Sequence, residues 1–372
     1  MIYDVIIIGG GLAGLSLSID LKLKGHSILL IEKSDYPRNK VCGEYISMES
    51  YMYLHSLCPS LNKYELPKIT QFKITSLGKN TFNTPLDLGG FGISRFLLED
   101  LLYQQAKSIG VDVVINTKVD PSSISKNQGL YQIKTKSDIY LAKIVCNTSG
   151  RKSNIETKSR NRIKSKNNYI GIKYHIKLER NTELIEIHNF KGGYCGISSI
   201  ENDMNCLCYI VNSEELKKVG NSIQRLEKEI LSKNIQLKNI FSDAEFLFKE
   251  PCTISGINFN IKERIKDGTF LLGDAAGSIA PITGNGMSIA LRSAFTLSNL
   301  MDAYFNNEID LSRLNIEYDS FWTKNFSSRI KYSRHLQKLS ESPFLTQLTI
   351  GLFNTLPFIP KKVIALTHGQ PF

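Results

Sequence analysis

The chain opens on a continuous apolar run, Val5 to Ile8, as a strand buried on both faces would show. From Leu12 to Lys24 the pattern turns helical, with Leu15, Ile19 and Leu23 on one face. Gly25 stops that helix, and a second strand, SILLIE, ends at Glu32. A coil follows. Ser94 to Gly110 reads as an N-capped helix closed by glycine, and VDVVINT, YQIKTK and IYLAKIVCNTSG read as strands. Between Asn168 and Ile210 short alternating runs (YIGIKYHIKL, ELIEIHNF, GYCGISSI, NCLCYIV) predict a largely antiparallel sheet. Glu214 to about Lys238 has a helical pattern. Strand, turn and helix return at TFLLGDAAGSIAPITGNGMSIALRSAFTLSNLM, where Met287, Leu291, Ala294, Leu297 and Met301 recur at helical spacing. The chain after Asp310 is mostly helical in pattern, and Tyr318, Phe321, Trp322 and Phe326 are expected to pack inward. No internal repeat is present.

The 372 residues allow two or three domains and a sizeable core. A net charge of +11 suggests an anionic partner, but its distribution changes that picture. Arg151 to Lys166 alone carries seven basic residues and one acid, which leaves only +5 for the rest. That segment reads as a solvated loop, and a nucleic-acid-binding face is not expected. Seven cysteines, with no CxxC pair, do not form a disulfide or zinc framework, and the six histidines show no ligand spacing, so no metal is expected. Cys206 and Cys208 fall on one face of a strand and read as small packing residues. The N-terminus shows no secretory pattern, so the expected location is cytoplasmic. Pro343 to Pro360 is too polar to span a bilayer. A buried or interfacial helix fits better, and the lysine pair after it suits contact with lipid headgroups at the inner face of the membrane.

Chemistry enters at the first turn. Gly9, Gly11 and Gly14 have the GxGxxG spacing between a strand and a helix, and Glu32 stands at the end of the next strand. Gly9 permits a tight turn, Gly11 lets backbone approach a pyrophosphate, and Gly14 lets the helix pack on the sheet, while Glu32 accepts hydrogen bonds from a ribose diol. A second signal lies more than 250 residues on, in FLLGDAAGSIAPITGNGMSIA: Asp274 at a strand end and a helix opening near Gly284. That helix start offers free N–H groups and a positive dipole end to a reduced flavin.

Together, GGGLAG, Glu32, PRNKVCGE, SRFLLEDLL, NTSGRKS and GDAAGSIAPITGNG make the chain resemble the FAD-dependent oxidoreductases. These include aromatic-hydroxylase-type monooxygenases, geranylgeranyl reductases and flavin-dependent halogenases. The resemblance implies an α/β fold: a discontinuous Rossmann-like FAD-binding domain with an inserted β-rich substrate domain and a helical C-terminal tail. The expected boundaries are 1–66, 91–165 and 252–310 for the FAD-binding domain, 67–90 and 166–251 for the substrate domain, and 311–372 for the tail. The cofactor-binding residues it implies are Gly9, Gly11, Leu12, Ala13, Gly14, Glu32, Lys33, Arg38, Cys42, Gly43, Arg95, Val119, Asp274, Gly284, Asn285, Gly286 and Met287.

KVCGE looks most like the geranylgeranyl reductase branch, but the aromatic-rich strand of those enzymes is replaced here by GGYCGIS. Halogenases carry paired tryptophans, whereas this chain has Trp322 alone, with Lys73 and Lys79 as the nearest lysines for that chemistry. Flavin-linked dithiols sit a few residues apart, yet after Cys42 the next cysteine is Cys58. The expected function is therefore NAD(P)H-dependent oxidation of a hydrophobic small molecule through a flavin C4a-hydroperoxide. The alternatives are reduction of a prenyl or polyene C=C bond and flavin binding without turnover. No second nucleotide-binding glycine turn is present, and the resemblance implies electrons from transiently bound NAD(P)H or from an external donor. Cys42, Tyr45 and Tyr194 are the candidate proton donors, and Tyr194 and Cys195 the candidate substrate-side residues. Glu44 is left open between a structural hydrogen bond and an acid.

Overall fold

The structure, a computed structural model, describes residues 1–78, 80–151 and 168–372; Lys79 and residues 152–167, with most of the basic stretch, lie outside the described residues. Two sheets organise the chain. In the first, Ile2–Ile8 lies parallel between Ile28–Ile31 and Ile139–Asn147, and Asp112–Val114 and Thr269–Leu271 extend it in parallel on either side. The opening apolar run is explained by this central place. Val5 and Ile7 face the helices, while Ile6 and Ile8 face Tyr131 and Ile133 of the antiparallel pair Ile124–Asn127 and Leu130–Lys134.

The second sheet has the order Glu245–Phe246, Tyr169–Lys177, Asn205–Asn212, Gly193–Ser199, Leu184–Phe190, Lys68–Thr75, Thr81–Gly92, Tyr45–Ser47. It is antiparallel except where Leu184–Phe190 runs parallel to Lys68–Thr75. Two expected boundaries move. Cys252–Ile257 pairs with Tyr169–Lys177, and Tyr45–Ser47 pairs with Thr81–Gly92, so both strands belong to this second sheet. The physical reason is that short apolar strands beside an open sheet edge satisfy their backbone groups by joining it.

The helix expected over Glu214 to Lys238 is instead three short ones, Ser213–Lys218, Ile223–Glu229 and Ile235–Asp243. Ser222 and Asn234 break it, because each side chain accepts a backbone N–H two or three residues on and so starts a new helix. These helices and the 3-10 turn Leu231–Lys233 cover one face of the second sheet, with Leu216, Leu226, Leu231 and Leu237 buried against it.

Two long helices, Gly286–Phe305 and Leu311–Ser340, close the core. Asp310 caps the second by accepting the Arg313 N–H at 2.7 Å. Tyr318, Trp322 and Phe326 are fully buried along its inner face, while Phe321 is only partly so. The Trp322 ring lies so close to Gly277 that a Cβ there would come within 2.8 Å of it. The chain then breaks at Pro357 into Pro343–Thr355 and Phe358–Thr367, and no described helix is long and apolar enough to cross a membrane.

Replacing Trp322 with alanine would leave a ring-sized void. Urea unfolding of Trp322→Ala is expected to show a loss of about 3–5 kcal/mol with an unchanged m-value.

Candidate active site

The first sheet ends in the glycine turn. Gly9 adopts φ +108°, and a Cβ there would lie 2.7 Å from the Ser149 backbone, so only glycine fits. A Cβ on Gly14 would meet Gly9 O at 2.0 Å and Thr148 Oγ1 at 2.6 Å, which is the close helix–sheet packing expected from the spacing. The helix Leu12–Leu23 has no side-chain cap and no acid in its first turn, so the N–H groups around Leu12 and Ala13 face outward unopposed. Glu32 is buried and accepts Gly10 N–H at 2.6 Å and Ser34 N–H at 3.0 Å, which leaves carboxylate lone pairs for a diol. Arg38 donates to Gly10 O at 2.9 Å and lies 3.3 Å from Glu32. Lys33 is exposed beside Glu32. Val119 packs half-buried against the opposite face of the sheet, near Ile8 and Ile31.

Beside this turn sits an unanticipated charge cluster. Glu99 is fully buried on the helix Arg95–Ser108 and gathers Arg95, Lys40 at 2.9 Å and Arg38 at 3.5 Å. Burial alone would raise its carboxyl, but the three cations hold it below the ordinary range. Lys40 reaches the glycine turn itself, with Nζ 3.4 Å from where a Gly11 Cβ would stand. Partial burial first, then Arg95 and Arg38 acting against Glu99, hold Lys40 down to about 8. Three cations against Glu99 and Glu32 leave one positive charge in excess at the turn where a pyrophosphate would lie.

The coil from Lys40 to Ser47 is tied to the second sheet by Glu44. Its carboxylate is fully buried, with Oε1 accepting Lys173 Nζ at 2.6 Å and Arg95 N–H at 2.8 Å, and Oε2 lying 2.6 Å from His175 Nε2. An ionised carboxylate only accepts, so His175 donates through Nε2. Burial would raise Glu44, but the hydrogen bond from His175 and the Lys173 ammonium outweigh it and hold the carboxyl below its usual value. Glu44 also has φ +55°, a conformation that costs a non-glycine residue free energy and that these three bonds hold in place.

Strand alternation then defines the roof over the coil. Lys173 and His175 share a face with Cys206, Cys208 and Ile210, and with Tyr194 and Ser198. Cys206 Sγ donates to Cys42 O and Ser198 Oγ to Gly43 O, so the roof holds the coil's carbonyls directly. Between them is open space: a Cβ on Gly43 would meet nothing within 4 Å, and one on Gly196 only backbone oxygens at 3.7 and 4.0 Å.

The other end of this cleft is the second glycine motif. Asp274 pairs with Arg151 Nε at 2.9 Å. Gly284 adopts φ +67°, and the Tyr45 ring lies 3.0 Å from where its Cβ would be. Helix Gly286–Phe305 begins there with Asn285 at its N-cap, no side-chain cap bond and no acid in its first turn, so the Gly286 and Met287 N–H groups are exposed to a ligand. Buried Arg151 NH1, Tyr194 Oη and Asn285 Oδ1 have no hydrogen-bond partner among the described residues. Two uncapped helix starts, unpaired polar atoms and a cleft open at two glycines fit an elongated anionic cofactor with a planar end, as FAD is.

Of the candidate proton donors, Cys42 is half-buried against Arg95 and the Tyr45 ring is wedged between Gly90 and Gly284. Burial first, then Glu49, pushes the Tyr45 phenol far up, so it keeps its proton. Tyr194 lies on the roof face. Cys195 requires a correction: it is fully buried on the opposite face, among Phe190, Leu207 and Tyr209 under the short helices. Neighbours in a strand point to opposite sides, so Tyr194 and Cys195 cannot both line the cleft. The sequence reading missed Lys173, His175 and Glu99 in this role. An isolated lysine inside an apolar strand run, as in YIGIKYHIKL, was the available signal for Lys173.

Removing the Glu44 carboxylate would strand the Lys173 charge. Glu44→Ala is expected to lose about 3–5 kcal/mol in urea unfolding. In the wild type, a folded carboxyl held below its unfolded value of about 4.3 contributes stability that is present above that pH. It is lost as pH falls through the folded value, and this acid-limb slope should be smaller in Glu44→Gln.

Residues 4–40 match the family model described as the FAD binding domain. Over 97% of its length the chain is 24% identical to Conditioned medium factor receptor 1 of Dictyostelium discoideum, covering 74% of that protein. It is 23% identical to a digeranylgeranylglycerophospholipid reductase of Methanococcus aeolicus, over 91% of this chain and 88% of the other. A solved flavin-dependent brominase superposes with a TM-score of 0.78 at 20% identity, covering 99% of this chain and 93% of its own. A flavoprotein/dehydrogenase from Cytophaga hutchinsonii superposes at 0.74, with 19% identity and 93% and 87% coverage. The chain thus shares the fold of these solved flavin enzymes, and its first strand–turn–helix unit matches an FAD binding domain in sequence.

Proposed function

We propose that the protein is an FAD-dependent monooxygenase that draws electrons from NAD(P)H and oxidises a hydrophobic small molecule. The observation that carries this reading is the apolar face of the roof beyond the open strip. Tyr169, Ile187, Tyr194, Ile210 and Phe259 form a buried apolar cluster there with Ala280, which lies within the second glycine motif. Such a face binds and orients an apolar ring or chain and excludes water. When bound, FAD supplies the two-electron chemistry with the nicotinamide and with O₂.

The chain's own residues hold and shield the reacting centre. The roof thiols stay protonated: burial pushes Cys208 up to about 12 and Cys206 well above the usual thiol value. Neither is poised as a thiolate nucleophile. Arg151, tethered through Nε to Asp274, keeps NH1 for a ligand oxygen. Lys73 points to the far face of its sheet and pairs with Glu186 at 3.0 Å, which argues against its use in halogenation. The second reading, reduction of a prenyl or polyene C=C bond, has one observation in its favour. Tyr194 is a buried, protonated phenol whose oxygen has no partner among the described residues, as a proton donor to carbon would need.

The test is NADPH oxidation by the purified holoprotein under ¹⁸O₂ with a panel of phenols and with geranylgeranyl diphosphate. Label incorporated into a product is the expected result. Saturation of the diphosphate's double bonds without oxygen would replace it with the second reading, and bound flavin that NADPH and dithionite both leave oxidised would overturn both.

Cofactor affinity should also follow Lys40. Its ammonium is present below about pH 8 and lost above, so FAD affinity, read by flavin fluorescence quenching on the apoprotein, is expected to fall as pH rises through that value. Lys40→Gln should bind FAD more weakly below pH 8 and flatten the profile.

A further inference from the structure

We propose that the C-terminal helix pair is a docking surface for an anionic phospholipid bilayer. In helix Pro343–Thr355, Phe344, Leu348, Leu352 and the following Leu356 recur every four residues, with Leu345 beside them, which makes one stripe. That stripe faces solvent: Phe344 is 69% exposed, Leu348 56% and Leu352 44%. The next helix adds Phe358, also 56% exposed, and Leu366.

The opposite side of the first helix is used for packing. Thr346 and Ile350 are buried, Phe353 meets Phe82 edge-on with ring centres 5.3 Å apart, and Asn354 Nδ2 donates to Thr81 O at 3.1 Å. The helix is therefore pinned to the second sheet with its apolar stripe outward, an arrangement that a water-exposed surface alone does not favour.

Charge selects the occupant. Residues 331–372 hold Lys331, Arg334, Lys338, Lys361 and Lys362 against a single acid, Glu341, whose carboxylate accepts from Tyr169. Lys361 and Lys362 are exposed, and the Lys362 ammonium lies 5.9 Å from the Phe358 ring centre, at the edge of the apolar patch. Long cationic side chains rimming an apolar stripe suit a layer of anionic headgroups over acyl chains. A second copy of the same face would oppose cation to cation. With 13 and 10 residues, both helices are too short to span, so they lie in the plane of the interface.

The surface is joined to the roof. Just before the first of these helices, Glu341 O accepts the Gly192 N–H at 3.0 Å and Ser340 O accepts from Asn189, the cross-strand neighbour of Tyr194. Docking would place the apolar roof face next to the bilayer. In this last step the inference rests on the hydrophobic-substrate reading, and it then narrows the substrate to one that partitions into lipid.

The experiment is co-sedimentation of the full-length holoprotein with phosphatidylcholine vesicles, with and without half phosphatidylglycerol, at low and high salt. Binding to the anionic vesicles, weakened by salt, is expected. Leu348→Glu with Leu352→Glu should abolish it. Lys361→Gln with Lys362→Gln should weaken it on the order of twenty- to thirtyfold, from roughly fivefold per lysine. Equal binding to both vesicle types, or binding unchanged in the leucine variant, would overturn the proposal. So would a dimer, seen by light scattering, that the leucine changes dissociate, since it would name a second copy as the occupant. FAD content and flavin reduction by NADPH without vesicles should be unchanged in both variants, which separates failure of this surface from failure of the functional reading.

Discussion

Glu44 brings a negative charge into the seam between the cofactor-side coil and the second sheet, where Lys173, His175 and the Arg95 N–H meet it. A buried ion pair adds little net stability over an apolar replacement, because desolvation offsets most of the attraction. What it does impose is position. The three bonds hold Glu44 at positive φ and set the direction of the Cys42 and Gly43 carbonyls, which then meet Cys206 and Ser198 of the roof. The separation between the glycine turn and the roof, and with it the depth of the cleft, depends on that arrangement.

The glycine turn is complemented by charge from outside the motif. Glu99 is the inverse of Glu44: one carboxylate that keeps three cations side by side despite their mutual repulsion. Without it, Lys40 and Arg95 would lose their carboxylate partner, while Arg38 would keep Gly10 O and Glu32. With it, they add a fixed positive field to the two uncapped helix starts. Neither buried acid needs to touch the reacting atoms; each acts through the cations it holds.

Much of this was legible along the chain. The glycine spacing, the buried parallel strand, the antiparallel run from Asn168 and the long helices follow from patterns held within a few residues. The same periodicity argument, applied strictly, would have rejected Cys195, since it adjoins Tyr194 in one strand. The errors at 214–238 and at the edges of the second sheet have different causes. Capping side chains at Ser222 and Asn234 outweighed a continuous helical pattern. At the sheet edges, strand membership depended on which open edge lay nearby.

The sequence by itself determined the nucleotide-binding turn, the apolar faces and the family resemblance, because sterics and hydrophobic periodicity act between neighbours. Only the tertiary structure decided which charges are paired. Glu44 and Lys173 are 129 positions apart, and Arg151 and Asp274 are 123 apart. A Coulomb partner depends on distance in space and on local burial, neither of which leaves a periodic trace in the chain.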